Sequence, residues 1–381
     1  ALSWLRGSSK SSLALVFDIG SATVGVAIAK YKKGKPINVF FTHRVLINYG
    51  TDQSAKSLGG YVGTAIEKAA TEALEQLGRL DVGSDYTVHA IVHAPWTDSQ
   101  AQRAEGVLEE ETLITRELLQ QFTVRHLPEQ KVEGRIQFDR HITRIELNGY
   151  STTQPYKKKA KKIAVTILKS SMSDSVHASI LNAFSSALPN HDVHIDAFLF
   201  AATQLRELFA GNDAYTIIDV GEEYTSLSIV RDETVAGSAW ASFGTEYLIR
   251  AISKEDAEAR QSAISQLTMY IDNTCTPAQC RDTETALEKP EKEWTRTFGD
   301  ACTKLSKIHR MPTKTFVSVD KHYGPWFKRV IEKIDFGQFT VTGRPLEAQL
   351  LSIEKAARSF SFAESVKRDS MLSLGILFVD K

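Results

Sequence analysis

The sequence predicts an α/β protein of two related lobes with a small α+β insertion between them. Three observations carry this expectation. The segments VFDIGSATVGVAI (16–28) and IIDVGEEYTSLSI (217–229) align without a gap, so one strand–turn–strand unit occurs twice. The chain has 381 residues, more than one ordinary hydrophobic core covers. Between the two copies the texture changes over about a hundred residues, the size of a small domain.

Residues 1–12, ALSWLRGSSKSS, read as a flexible leader. Arg6 and Lys10 ahead of an apolar stretch imitate a secretory signal. Asp18 ends that stretch after five residues, Leu13 to Phe17, where an h-region needs about seven or more. Leu2, Trp4 and Leu5 offer a membrane contact, but so short a helix is marginal by itself.

Residues 13–85 are the expected core of the first lobe. Two strands share 13–30, KKGK (32–35) turns the chain, and PINVFFTHRVLI is a third strand. Val62, Ile66, Ala69, Ala73 and Leu77 repeat at helical spacing.

Residues 86–193 are assigned to the insertion. It opens on a strand, YTVHAIVHAPW, stopped by Pro95. TLITRELLQQF reads as a helix capped by Thr112, RIQFDRHITRIELNGY as a strand pair and KKIAVTILKS as a strand. SDSVHASILNAFSSAL reads as a helix capped by Ser173 or Asp174.

Residues 194–212 are expected to return to the first lobe as a helix, Ile195 to Phe209. Residues 213–381 make the second lobe: the repeated hairpin, a turn at RDET, a third strand and a charged helical section over 251–311. KTFVSVDKHY (314–323) is a buried strand leading into a helix from Trp326, and Leu346–Ala357 reads as one more helix. Near the C-terminus Val366, Met371, Leu372, Leu374, Ile376, Leu377 and Phe378 are apolar, but Gly375 and Asp380 spoil an amphipathic face.

Composition excludes some function classes. Lys plus Arg and Asp plus Glu both number 46, so the basic excess of a general nucleic-acid binder is missing. Cys275, Cys280 and Cys302, odd in number and sparse, read as free thiols in a reducing compartment, with no histidine pair at zinc-finger spacing. No apolar run approaches the ~20 residues of a spanning helix, which points to the cytoplasm. The lysines of PYKKKAKK (155–162) read as a solvated loop rather than a lipid contact. His89 with His93, and HDVH at 191–194, lack a third ligand, and no Ser-His-Asp or Cys-His arrangement is visible.

The repeated unit has a chemistry. A glycine lets backbone approach a phosphate, and turn amides form an anion-binding concavity. A Ser or Thr beside it donates to phosphate oxygens, and an Asp at the strand end holds Mg²⁺ through water. The candidates are Asp18, Gly20, Ser21 and Thr23 in the first copy and Asp219, Gly221 and Thr225 in the second, with Asp18 and Asp219 as the metal-facing pair. Two such hairpins facing each other would clamp a triphosphate.

In these residues and their order the chain resembles the actin-like ATPase superfamily, whose fold is a duplicated ribonuclease H-like unit. IDAFLFAATQLREL ahead of the second hairpin, IELNGYSTTQP (145–155) within the insertion, and FGTEYLIRAI (243–252), where Gly244 enters a helix, look like the bacterial FtsA and PilM branch. The resemblance spans about Leu13 to about Leu351. It implies ATP with Mg²⁺ between the lobes, Gly244 among the binding residues, and a place at the inner face of the cell membrane.

The second hairpin departs from the family pattern: Glu223 stands where a glycine is usual and Tyr224 where a threonine is. Glu222 and Glu223 put two carboxylates beside a triphosphate, and one such charge pair at about 4 Å costs roughly 4 kcal/mol at an effective dielectric of about 20. Asp320, Lys321 and His322 replace the family's adenosine-binding glycine pair, with Gly324 only later. Two readings of the cleft stay open, a nucleotide-binding scaffold with weak ATPase activity at most and a pseudo-ATPase. The leading functional reading is an FtsA-like division protein that binds the FtsZ C-terminal peptide, polymerises and touches the membrane peripherally. The alternative is a PilM-like type IV pilus adaptor that binds a PilN-type peptide. A small-molecule kinase of this superfold would need substrate loops that the sequence lacks.

Overall fold

The computed structural model describes residues 12–381 except positions 51, 53, 81, 84, 130, 212, 233, 255, 257, 258, 320–322 and 352–353. Most of the leader, and Asp320, Lys321 and His322, therefore lie outside the described residues.

A nearly unbroken apolar run makes β1 (Ser12–Ile19) a strand buried on both faces. It pairs antiparallel with β2 (Thr23–Tyr31), which pairs antiparallel with β3 (Ile37–Leu46). Helix α1 (Ala55–Arg79) starts at Ser54, whose hydroxyl accepts from the Ser57 amide. Its Val62, Ile66, Ala69 and Ala73 pack against this sheet. β4 (Tyr86–Val92) then returns parallel to β1.

The chain next builds a separate antiparallel sheet. β5 (Asp98–Leu113), β6 (Arg135–Leu147), β7 (Tyr150–Ser151) and β8 (Lys159–Ser173) lie in the order β5-β8-β6-β7. Helix α2 (Arg116–His126), between β5 and β6, closes its core with Leu119 and Phe122 over Ile163, Val165 and Ile167. Helix α3 (Asp174–Ala187) packs back on α1, where Gly59 lies so close to Ser179 that a Cβ would stand 2.8 Å from its hydroxyl. β9 (Val193–Ala197) adds parallel to β4, and the short α4 (Phe198–Gln204) leads away.

The second lobe repeats the pattern with β10 (Tyr215–Val220), β11 (Thr225–Arg231) and β12 (Thr234–Ala241). Helices α5 (Thr245–Ser253), α6 (Arg260–Ile271) and α7 (Pro277–Ser306) precede β13 (Lys314–Ser318), which is parallel to β10. Helix α8 (Gly324–Lys333) and β14 (Glu347–Leu350) follow. Finally β15 (Phe360–Phe362) and α9 (Ser370–Val379) return to the first lobe. The second sheet, β12-β11-β10-β13-β14, matches β3-β2-β1-β4-β9 of the first strand for strand. The expected duplication is therefore present in the backbone.

Several boundaries differ from the expectation. Strand 86–92 belongs to the first sheet because it pairs with β1, so the inserted sheet spans 98–173 rather than 86–193. The return segment is a strand before a short helix, since 193–197 finds β4 as a partner. The segment 346–357 holds β14 because β13 offers a parallel edge. Thr115, not Thr112, caps α2. Residues 360–381 join the first lobe, not the second: Leu372, Leu374, Ile376 and Leu377 are buried with its core.

The free-thiol reading of two cysteines is also corrected. Cys275 precedes the capping box of Thr276 and Gln279 that starts α7, and Cys280 lies in the first turn of that helix. The cap folds the chain back on itself, the two Cα atoms come 5.6 Å apart, and a disulfide joins them. Cys302 is buried and free. Among the described residues no helix is long and apolar enough to cross a membrane.

Candidate functional site

The two hairpin turns are built alike. The Gly20 amide donates to the Thr23 carbonyl at 3.0 Å, and the Gly221 amide donates to the Tyr224 carbonyl at 2.9 Å. The turns face one another across the lobes and touch. The Glu222 amide donates to Ser21 Oγ at 2.9 Å, and Ser21 Oγ donates in turn to Glu222 Oε2 at 2.6 Å. The Ala22 amide donates to the same carboxylate oxygen at 3.0 Å. Behind the first turn the Trp96 indole donates to the Gly20 carbonyl at 2.7 Å, and the Tyr49 hydroxyl donates to the Ser21 carbonyl. The first turn thus presents its donors to an anion, and the anion is the chain's own Glu222. Burial raises the Glu222 carboxyl above its ordinary range, and the Ser21 and Ala22 donors offset only part of that.

The acid of each strand end meets a cation of the chain. His93 follows β4 and bridges the lobes: Nε2 lies 2.8 Å from Asp18 Oδ1 and Nδ1 lies 3.1 Å from Asp219 Oδ2. Its ring stacks on Phe198 with centroids 4.1 Å apart. Burial opposes the charged form, but Asp219 and Asp18 outweigh it and push the imidazole up to about 10. Arg44, on β3, donates to Asp18 Oδ2 at 2.7 Å and to both oxygens of Asp369 at 2.5 and 2.9 Å. Burial alone would raise Asp18, yet Arg44 and His93 hold it well below the carboxylate range. Asp369 also caps α9 through the Leu372 amide. Ser318, on β13, donates to Asp219 Oδ1 at 2.8 Å. The ion chain therefore runs Asp369, Arg44, Asp18, His93, Asp219, from the C-terminal helix across both lobes.

Six of the eight expected residues come together. Asp18, Gly20, Ser21, Thr23, Asp219 and Gly221 line a cavity of about 290 Å³ between the lobes. Thr23 does not face it freely, because its hydroxyl accepts from Arg44 at 3.1 Å. Thr225 points the other way: it is buried and donates to the Phe243 carbonyl at 2.7 Å, so it braces the hairpin instead of binding a ligand. Gly244 is also a support. The amides of Thr245 and Glu246, just after it, donate to the carbonyls of Gly221 and Glu222 at 3.0 and 2.9 Å. A Cβ on Gly244 would lie 2.3 Å from Glu222 backbone atoms. Gly244→Ala must therefore displace the second turn, and urea unfolding is expected to show a loss of about 1–3 kcal/mol. Glu223, at the altered position, turns away to a bidentate pair with Arg250 at 2.6 and 3.0 Å.

These side chains do not fit a nucleotide–magnesium pair as they stand. A hydrated Mg²⁺ would have to displace His93 and Arg44 from Asp18, and a phosphate would have to displace Glu222 from Ser21. Arg44, His93 and Asp369 were missed in the sequence. Their one local signal is position: His93 sits at the carboxyl end of a parallel strand, where α/β sheets open their ligand crevices.

The chain matches no protein-family model and no curated protein. Among solved structures it is similar to PilM in a PilM–PilN type IV pilus biogenesis complex, at 11% identity over 98% of this chain and 96% of that one, with a TM-score of 0.55. It is also similar to the ethanolamine utilization protein EutJ from Carboxydothermus hydrogenoformans, at 9% identity over 89% and 84%, TM-score 0.46. A third is component A of (R)-2-hydroxyglutaryl-CoA dehydratase from Acidaminococcus fermentans, at 9% identity over 97% and 99%, TM-score 0.39. The chain has the actin-like ATPase fold, two duplicated lobes with an inserted α+β sheet.

Proposed function

We propose that this chain is an actin-fold assembly adaptor, PilM-like in role, that holds a short peptide of a membrane-anchored, PilN-type partner at the inner face of the membrane and needs no nucleotide to do so. The observation that carries this reading is the filled cleft. Asp18 and Asp219, the residues that would hold Mg²⁺, are neutralised by His93 and Arg44, and the Ser21 turn is occupied by Glu222. A rigid adaptor keeps its lobes in register by such internal charges, whereas an ATPase needs them open to its ligand.

Helix α9 itself does not serve as the membrane-targeting helix of the FtsA-like alternative. A membrane-targeting helix must leave its apolar face available to lipid. In α9 Leu372, Leu374, Ile376 and Leu377 are buried against the first lobe, so this helix is spent on the core.

Two measurements on the full chain test the proposal. Pull-down with a PilN-type N-terminal peptide and with an FtsZ C-terminal peptide should give capture by the first alone. Capture by the FtsZ peptide would restore the division reading, and capture by neither would end both. Thermal unfolding with and without MgATP should give the same midpoint, because a ligand that binds only the native state raises it. A rise that Asp18→Ala abolishes would return the cleft to nucleotide binding.

A further inference from the structure

We propose that Asp139, His141 and Asp196 form a site for one divalent transition-metal ion of the Zn²⁺ or Mn²⁺ class, which ties the inserted sheet to the first lobe. Asp139 and His141 are two residues apart on β6 and so share one face of the inserted sheet. Asp196 lies on β9, the edge of the first sheet. One ligand atom from each residue falls within 4.8 Å of the others. His141 Nε2 contacts Asp139 Oδ1 and lies 3.4 Å from Asp196 Oδ1.

Two features separate this group from an ordinary buried ion pair. His141 Nε2 is buried yet makes no well-directed hydrogen bond, although two carboxylates flank it. A proton on that nitrogen needs an acceptor close to the N–H axis. A metal ion gathers several donors around one point, each about 2.0–2.2 Å away, and needs no such alignment between them. The second feature is support. Asp139 Oδ2 accepts from the Ala197 amide at 3.3 Å, and the His141 ring lies flat on Phe200 with centroids 3.5 Å apart. Ligands oriented by outer partners in this way are characteristic of metal centres.

The donor set selects the ion class. One imidazole nitrogen and two carboxylate oxygens suit Zn²⁺, Mn²⁺ or Co²⁺, whereas Ca²⁺ takes six to eight oxygens. An ion here would bond β6 to β9 directly. It would add to the contacts that already join the inserted sheet to the first lobe, the Ala197 amide on Asp139 and the stacking of His141 on Phe200. The site lies outside the cleft, so the proposal stands apart from the adaptor reading.

The test uses the full chain stripped with EDTA and titrated with ZnCl₂ and MnCl₂ at pH 8 by calorimetry. One ion per chain is expected, with Zn²⁺ tighter than Mn²⁺, and a rise in thermal midpoint that EDTA reverses. Replacing an outer partner of a metal typically costs 10–100-fold in affinity, so His141→Ala and Asp196→Asn should each lose at least about a hundredfold. His194→Ala should keep the affinity, because His194 instead stacks with His89. If His141→Ala fails to fold by circular dichroism, the near-isosteric Asp196→Asn carries the comparison. No saturable uptake, or uptake unchanged in both variants, overturns the site. Loss confined to His194→Ala overturns it too, by moving the ion to the His89–His194 pair.

Discussion

Replacing His93 with alanine is expected to destabilise the protein by about 3–5 kcal/mol, the usual cost of removing one partner of a buried ion pair. The imidazole stands between two buried carboxylates, one from each lobe. After its loss Asp18 keeps Arg44, but among the described residues Asp219 keeps only the Ser318 hydroxyl, which carries no charge. Asp219 then faces Asp18 across the lobe boundary without the imidazole between them, and the stacking on Phe198 is gone as well.

The pH dependence distinguishes this charge effect from lost packing. The folded-state value of His93 is raised to about 10 from an ordinary 6.5. Its contribution is therefore complete below about pH 6.5 and is lost as pH rises through about 10. Asp18 has the opposite sense: its folded value is depressed, so its contribution holds above the ordinary 3.8 and fades only in strong acid. Urea unfolding at pH 6, 8 and 9.5 should show the gap between wild type and His93→Ala shrinking as pH rises. A gap that stays constant, or one under about 1 kcal/mol, would make His93 a packing residue.

What the sequence disclosed and what it hid divide by the range of the interaction. The strand–Asp–x–Gly–turn unit is local, so both copies and the residues at their tips could be read directly. The partner of a strand is not local. YTVHAIV carries the same apolar pattern whether it pairs with β1 or opens the insertion, and only the register with Leu13–Ile19 places it. β5 is polar enough, in DSQAQRAEGVLEEETL, to hide as a loop, yet β8 supplies the ladder that makes it a strand. PLEAQLLSIEKAA suited a helix by spacing, and the free edge of β13 overruled that for Glu347–Leu350.

The cleft divides in the same way. Asp18 and Asp219 were visible as acids, but their neutralisation was not. Arg44 is 26 residues from Asp18 and 325 from Asp369, and His93 is 126 from Asp219. Thr42 and Arg44 lie two apart on β3. Both reach the segment ahead of α9, Thr42 by donating to the Lys367 carbonyl. Both carboxylates were legible as hostile to a phosphate, yet Glu222 fills the turn while Glu223 turns away. Sequence spacing alone does not distinguish them, because the choice depends on which side chain Arg250 captures.

Glu222→Ala is expected to turn an anion-excluding turn into an anion-binding one. In the wild type the Ser21 hydroxyl and the Ala22 amide are already held by the Glu222 carboxylate, and any phosphate must displace it against like charge. That repulsion is worth roughly 4 kcal/mol at about 4 Å and an effective dielectric of about 20, or roughly a thousandfold in affinity. Calorimetry with inorganic pyrophosphate should show no saturable binding to wild type and measurable binding to Glu222→Ala. Glu222→Gln separates charge from shape, since its amide oxygen can still accept from Ser21 and Ala22. It should bind pyrophosphate less well than the alanine variant. At pH 8 it should be at least as stable as wild type, because burial raises the Glu222 carboxyl and ionising it therefore costs folding energy as pH rises through that value. Wild type binding pyrophosphate as well as Glu222→Ala would show that this carboxylate does not close the turn, and the nucleotide-independent role proposed above would lose its main support. Binding by neither protein would place the barrier at the Arg44–Asp18–His93 chain instead, where the acids that should receive Mg²⁺ are already neutralised.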